Sequence, residues 1–415
     1  MINTISKDMD TLITIRDLST YFYTYAGVVK ALDGVNLEIL KGETLGLVGE
    51  TGCGKSVTAR CIIRLILHPG KIMSGNVMYQ DRDLLQISDE EIRKIRGRKI
   101  SIVFQDPATY LNPVMTVGRQ LIETIELHQD LTQDAIKLQL ADRQKAIKAE
   151  IAKLREKSLT DENAKIKLEQ FENELKLIVE GTYDQNITPK RKYTHQAYRE
   201  KAIEVLKTVR LPDAEEILSR YPHELSGGMR QRCMIAISLV CRPDLLIADE
   251  ATTALDVTIQ AQILHLLNEL KEELNTSVLI ITHDLGIVAE TCQRVAVMYA
   301  GTVVEVAETL ELFANTTHPY TKGLLKAIPK LSVEVDELEI IPGIVPNLID
   351  PPGGCRFHPR CPDCQEVCKN VKPRLSRLPG DKIHLIACHV HGTEDYVYDD
   401  AREMLEQKIE QNNNK

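Results

Sequence analysis

The octet Gly49-Glu50-Thr51-Gly52-Cys53-Gly54-Lys55-Ser56 constrains this chain more than any other stretch. An apolar run, Thr44-Leu45-Gly46-Leu47-Val48, precedes it and reads as a short buried strand. A helical pattern opening at Val57 and running to Ile63 follows it. Strand, glycine loop and helix, with the spacing G-x-x-x-x-G-K-S, make a phosphate-binding P-loop. The glycines let successive N–H groups turn inward onto phosphate at the positive end of a helix dipole. In such a loop Lys55 bridges the β- and γ-phosphates and the Ser56 hydroxyl holds Mg²⁺. The octet therefore predicts a nucleotide site set in an α/β fold.

Further along, Leu245-Leu246-Ile247-Ala248 reads as a buried strand ending in the paired carboxylates Asp249 and Glu250. Asp249 suits a Mg²⁺-water contact, and Glu250 can polarise an attacking water. Another buried strand, Ser277 to Ile281, is capped by Thr282-His283-Asp284. That puts His283 at a strand's C-terminal end, where open α/β sheets bind ligands. Gln105 follows the strand-like Ile100 to Phe104 and can reach the metal or the attacking water. Taken alone, a histidine or glutamine at such a position is more often structural. Leu225-Ser226-Gly227-Gly228-Met229-Arg230-Gln231 precedes an apolar helix, Cys233 to Cys241. Serine and two glycines at a helix start form a second anion-binding cap. One phosphate chain does not need two caps from one polypeptide.

Residues 12–16 and 35–40 alternate apolar and polar, as half-exposed antiparallel strands do. Between them lie Tyr21, Phe22, Tyr23 and Tyr25, in a chain only 4% aromatic. A ring there can stack on a base or simply pack an edge strand. Over 129–190 the composition turns to Lys, Glu, Gln, Leu and Ile. Ile136, Leu140, Ile147, Ile151 and Leu154 recur at helical spacing, as do Leu168, Phe171, Leu175 and Ile178. With a turn at Ser158-Leu159-Thr160-Asp161, this predicts two antiparallel helices, either a solvated arm or a docking arm. The formal charge of -9 and the lack of a basic stripe argue against a nucleic-acid partner. No run reaches the ~18 apolar residues of a membrane span, and no export signal is visible, so the expected location is the cytoplasm. Five of ten cysteines crowd into one late segment: Cys355, Cys361, Cys364, Cys368 and Cys388. Without export, such crowding reads as metal or cluster binding rather than disulfides. Cys53, at a helix N-terminus, is expected to have a lowered pKa and to be oxidisable.

Together these residues resemble the ATP-binding cassette (ABC) family over about 11–330, outside the inserted hairpin. The aromatic loop falls at Phe22 and Walker A at Gly49 to Ser56. The Q-loop falls at Gln105 and the signature at Leu225 to Gln231. Walker B ends at Asp249, followed by the presumed catalytic Glu250, the D-loop Asp256 and the switch His283. The resemblance implies an α/β P-loop ABC nucleotide-binding fold. Its parts are a RecA-like core, an antiparallel β subdomain and a helical signature subdomain, with an inserted helical hairpin and a small Cys-rich extension. It also explains the two caps: ATP sits between one chain's Walker A and the Ser226-Gly227-Gly228 of a second ATPase subunit, a related chain or a copy.

The run Ile341-Pro342-Gly343, Gly354-Cys355, Arg360-Cys361, Cys368 and Ala387-Cys388-His389 resembles the C-terminal extension of oligopeptide, dipeptide and nickel importer ATPases. That branch implies a [4Fe–4S] cluster on Cys355, Cys361, Cys368 and Cys388, with zinc as the alternative for four thiolates. Cys364 departs from the pattern. The implied boundaries are an ATP-binding domain over 11–315, including the hairpin at 129–190, an extension over 316–395 and a polar tail over 396–415. The implied function is the ATP-hydrolysing subunit of a peptide importer. It would lie peripherally on the cytoplasmic membrane face, with two membrane permease subunits and, indirectly, an extracytoplasmic substrate-binding protein. The competing expectation is a soluble ABC ATPase acting on nucleic acid or ribosomes.

Overall fold

The computed structural model describes residues 10–157, 162–181, 183, 187–251, 256–327, 341–378, 381–393 and 397. The turn expected at 158–161, Ala254 and Leu255, and nearly all of the tail lie outside them. Contacts divide the chain into a unit of residues 1–107 with 242–415, and a second of residues 108–241.

The first unit holds two sheets. Strands β1 (Thr11–Thr24), β2 (Gly27–Leu40), β4 (Gly70–Tyr79) and β5 (Arg82–Asp83) form an antiparallel sheet in the order β2-β1-β4-β5. The alternation expected over 12–16 and 35–40 extends into longer strands, because register shifts along β1 break its period. The larger sheet contains β3 (Thr44–Val48), β6 (Ile100–Val103), β7 (Leu245–Asp249), β8 (Ser277–Ile281), β9 (Arg294–Tyr299) and β10 (Thr302–Glu308). Two C-terminal strands complete it, β11 (Ser376–Leu378) and β12 (Asp381–Ile386), in the order β11-β12-β10-β9-β3-β8-β7-β6.

Every residue of β3, β7 and β8 is buried. That is why these strands read as unbroken apolar runs: a parallel sheet covered on both faces has no solvent side to alternate with. β3 runs parallel to both β8 and β9, and β7 is parallel to β6 and β8. The loops leaving β3, β6, β7 and β8 therefore emerge on one edge. β10 returns antiparallel and takes β12 as its neighbour. The Cys-rich segment thus extends the main sheet, which its Pro- and Gly-rich sequence does not suggest.

A buried aromatic trio, Tyr299, Tyr320 and Phe357, joins the end of β9 to that segment. Tyr299 lies 4.6 Å from Tyr320 and 5.1 Å from Phe357, centroid to centroid. Beside it, His318 is fully buried and caps the helix Pro319–Lys326, its Nδ1 accepting the Tyr320 N–H at 3.1 Å. Burial pushes the His318 pKa down to about 4, against the pull of Glu305. The unfolded chain takes up this proton near the ordinary value of 6.5 and the folded chain only near 4, so stability falls as pH falls through that window. The slope is up to about 1.4 kcal/mol per pH unit. Burial alone would raise the Glu305 carboxyl, but hydrogen bonds from His384 and the Thr317 N–H hold it below the usual range. Its contribution is lost only at still lower pH. The urea midpoint is therefore expected to drop between pH 7 and pH 5. In His318→Asn, whose side-chain oxygen can still cap, that drop shrinks. An unchanged pH slope would rule out His318 as its source.

The second unit is helical. Its helices include Val117–His128, Thr132–Lys157, Glu162–Val179, Arg191–Thr208 and Gly227–Leu239. The second and third are the expected hairpin. Ile147 and Ile151 are buried along its seam, and Arg143 grips Glu174 with two bonds of 2.8 Å while lying over the Phe171 ring.

Candidate active site

The loop after β3 curls because Gly49, Gly52 and Gly54 all take positive φ. At Gly49 no other residue fits, since a Cβ would lie 2.2 Å from the Met298 carbonyl oxygen. Gly54, in the left-handed region, is the N-cap of the helix Lys55–Ile62, whose first N–H groups have no partner within the helix. Lys55 is buried, and its Nζ donates to the Gly49 oxygen at 2.7 Å and the Glu50 oxygen at 3.1 Å. The ammonium is thereby held across the loop mouth.

The sheet edge brings four predicted residues to this loop. Ser56 Oγ donates to Asp249 Oδ1 at 2.7 Å. Burial pushes the Asp249 carboxyl up, and the Ser56 hydroxyl opposes the shift. A hydroxyl, a carboxylate and the Gln105 amide are hard oxygen donors of the kind Mg²⁺ takes. Gln105 Nε2 donates to Glu250 Oε2 at 2.7 Å, and His283 Nδ1 lies 3.5 Å from Glu250 Oε1. Glu250 adopts φ 49, rare outside glycine, and its N–H donates to the Ile281 oxygen at 2.9 Å. Backbone strain of this kind gathers at functional sites, and here it turns Glu250 out of the β7 line toward Gln105 and His283.

Other expected residues fall elsewhere. Phe22 sits in β1 opposite Gly70 with its ring over that glycine, while Tyr25, at the β1–β2 turn, is the fully exposed ring of the cluster. Asp256 is an N-cap, accepting the Ile259 N–H at 2.9 Å at the start of the helix Val257–Leu274. Within the second unit, Ser226 caps the helix Gly227–Leu239, accepting the Met229 N–H at 3.3 Å. Gly227 and Gly228 form its first turn, so the helix starts at Ser226 as the sequence predicts.

Cys53 departs from expectation. It is 1% exposed, and burial raises its pKa despite the nearby Lys55. Desolvation outweighs the helix end, so this thiol is neither acidic nor accessible to an oxidant.

The Cys-rich segment departs as well. Among the described residues, no three His, Cys, Asp or Glu are grouped tightly enough to hold a metal ion. Two of the expected ligands meet through the main chain, where the Cys355 N–H donates to the Cys368 oxygen at 2.8 Å. Burial pushes both the Cys355 and Cys361 thiols up to about 11. Cys364 instead donates to the Gln365 carbonyl at 3.6 Å.

Sequence reasoning missed the loop's contacts with the C-terminal segment. The Tyr320 hydroxyl accepts the Glu50 N–H at 3.0 Å, and Arg360 forks onto the Glu50 carboxylate. Glu50 and Arg360 lie 310 positions apart, so no local pattern could have revealed the pair.

A P-loop, a Ser56–Asp249 pair and a Gln105–Glu250–His283 group on one parallel-sheet edge describe an ATPase, and the comparisons say which kind. Residues 32–253 match the ABC transporter family, and residues 304–368 match the C-terminal region of oligopeptide/dipeptide transporters. The chain belongs to the ABC transporter ATPase family, in the branch that carries that C-terminal region. It is 44% identical to a probable peptide ABC transporter ATP-binding protein of Sinorhizobium fredii, over 91% of this chain and 95% of that protein. It is 42% identical to the oligopeptide transport ATP-binding protein AppD of Bacillus subtilis, over 88% of this chain and 93% of that protein. Identity to the oligopeptide transport ATP-binding protein OppD of Escherichia coli is 40%, over 90% and 92%. These relatives give no support to a permease-free ATPase acting on nucleic acid or ribosomes. Among the described residues no helix is long and apolar enough to cross a membrane.

Proposed function

We propose that this chain hydrolyses ATP to drive import of short peptides through a membrane complex. The observation carrying this is its likeness to peptide-transport ATP-binding proteins across both the cassette and the C-terminal region. The chain works on the cytoplasmic membrane face with two permease subunits and a second ATPase subunit, a related chain or a copy. An extracytoplasmic binding protein delivers the peptide. Its domain plan follows the sequence reading: cassette over 11–315, hairpin over 129–190, extension over 316–395 and tail over 396–415.

In this reading the loop Gly49 to Ser56, with Val57, cradles the phosphates through the N–H groups not already bonded as those of Glu50 and Cys53 are, and Lys55 spans the β- and γ-phosphates. Ser56, Asp249 and Gln105 hold Mg²⁺, which when bound offsets charge on the phosphate oxygens. Glu250 takes a proton from the attacking water, oriented by Gln105 and His283. Support for that role is its contact with both side chains. Phe22 or its neighbours meet the base. Ser226, Gly227 and Gly228 close on the nucleotide of the second subunit, with Asp256 beside the joint.

Cys355, Cys361, Cys368 and Cys388 hold a metal centre, a [4Fe–4S] cluster, and staple a segment too small for a core of its own. The likeness of residues 304–368 to the oligopeptide/dipeptide transporter C-terminal region supports this, as do the main-chain contact of Cys355 with Cys368 and the separate engagement of Cys364. Anaerobic purification is expected to give a coloured protein containing iron and sulfide. Cys364→Ser keeps the metal and Cys368→Ser loses it. Stoichiometric zinc in a colourless protein would overturn the cluster.

A further inference from the structure

Glu50 is the only acidic residue of the phosphate-binding octet. A carboxylate there sits beside a cradle built to receive a polyanion, and like charges at that range repel. The C-terminal segment meets it with Arg360. Nη1 donates to Glu50 Oε2 at 2.9 Å and Nη2 to Oε1 at 3.2 Å, a bidentate charge-assisted fork. The guanidinium is itself fixed. Its Nε donates to the Pro342 oxygen at 3.0 Å, Nη2 to the Ile341 oxygen at 3.3 Å and Nη1 to the Tyr299 hydroxyl at 3.3 Å. Arg360 is 8% exposed and lies over the Tyr299 ring. The main chain of Glu50 is held from the same side, its N–H donating to the buried Tyr320 hydroxyl.

We propose that Arg360 and Tyr320 are positioning residues for nucleotide binding. Arg360 cancels the Glu50 charge, Tyr320 fixes the Glu50 main chain, and the C-terminal segment is thereby a working part of the phosphate site. A purely structural staple would affect folding stability alone. A charge-cancelling clamp makes a different demand: the harm of losing Arg360 must come from the carboxylate left behind.

The test is equilibrium ATP binding to the full chain at low salt. The variants are Arg360→Met, Arg360→Lys, Glu50→Gln, the double Glu50→Gln/Arg360→Met, and Lys55→Ala. Arg360→Met is expected to weaken ATP binding roughly tenfold, less so as added salt screens the exposed carboxylate. Arg360→Lys keeps the charge but not the fork, and falls between it and the parent. Glu50→Gln alone tightens ATP binding by a few fold, because an uncompensated cation now faces the triphosphate. The double variant regains most of the affinity that Arg360→Met loses. Unaltered affinity in Arg360→Met, or a double variant as weak as Arg360→Met, would overturn the proposal. Should Arg360→Met fail to fold, the sign of the Glu50→Gln change decides alone, and weaker ATP binding there counts against it. The inference rests on the octet being the nucleotide site. Lys55→Ala separates the two: if it binds ATP normally the site is wrong, and if it does not, any failure belongs to the clamp.

Discussion

Glu250→Gln is expected to bind ATP as the parent does and to lose hydrolysis by about two to four orders of magnitude, the range of a positioned general base. The amide keeps the shape of the side chain and can still meet Gln105, whose Nε2 donates to Oε2 at 2.7 Å. It cannot accept a proton from water. Binding is expected to survive because, in the proposed reading, the loop after β3 and Lys55 hold the phosphates and this carboxylate acts on the water. A steady-state ATPase assay beside an equilibrium binding titration separates the two. Turnover near the parental rate would remove Glu250 from the chemistry. The strained φ of 49 makes a second variant useful: Glu250→Gly should relax the backbone yet be as inactive as the amide.

Lys55→Ala has the opposite profile, with the largest loss in binding itself. Its ammonium is buried and donates to two carbonyl oxygens, those of Gly49 and Glu50, and more weakly to the Cys53 Sγ at 3.8 Å. A cation held that way is free to trade a carbonyl for phosphate oxygens. Charge-assisted hydrogen bonds of this kind are worth about 1.5–3 kcal/mol each, so losing two weakens ATP binding by roughly a hundredfold or more. Alanine also leaves the two carbonyls facing the phosphate chain without a cation between them. Isothermal titration with a slowly hydrolysed ATP analogue reads the effect. An affinity within a few fold of the parent would mean the lysine does not meet phosphate.

The legible parts of the molecule were those fixed by short-range physics. β3, β7 and β8 could be read because a strand buried on both faces is a continuous apolar run. The helix starts at Gly54 and Ser226 could be read because glycine and hydroxyl residues favour that position. β1 and β2 were found but underestimated, since register shifts interrupt their alternation. β11 and β12 were missed, being short, bounded by turn residues, and made strands only by long-range pairing, β12 with β10 and β11 with β12. Cys53 shows a local rule losing to a global one: the helix end favours a thiolate, but burial disfavours it more strongly. The Arg360–Glu50 fork belongs to the same class, a contact that exists only once β9, the helix Pro319–Lys326 and the Cys-rich segment have met.

The central claim is that this cassette drives peptide transport. The direct measurement is purification of the tagged chain from membranes, identification of its companions, and uptake of a labelled short peptide into proteoliposomes made from the complex. The expected result is two multi-span permeases and a second ATPase subunit, with uptake that needs ATP and the binding protein and disappears with Glu250→Gln. A chain recovered free of membrane proteins, or a complex whose ATP hydrolysis moves no peptide, would contradict it.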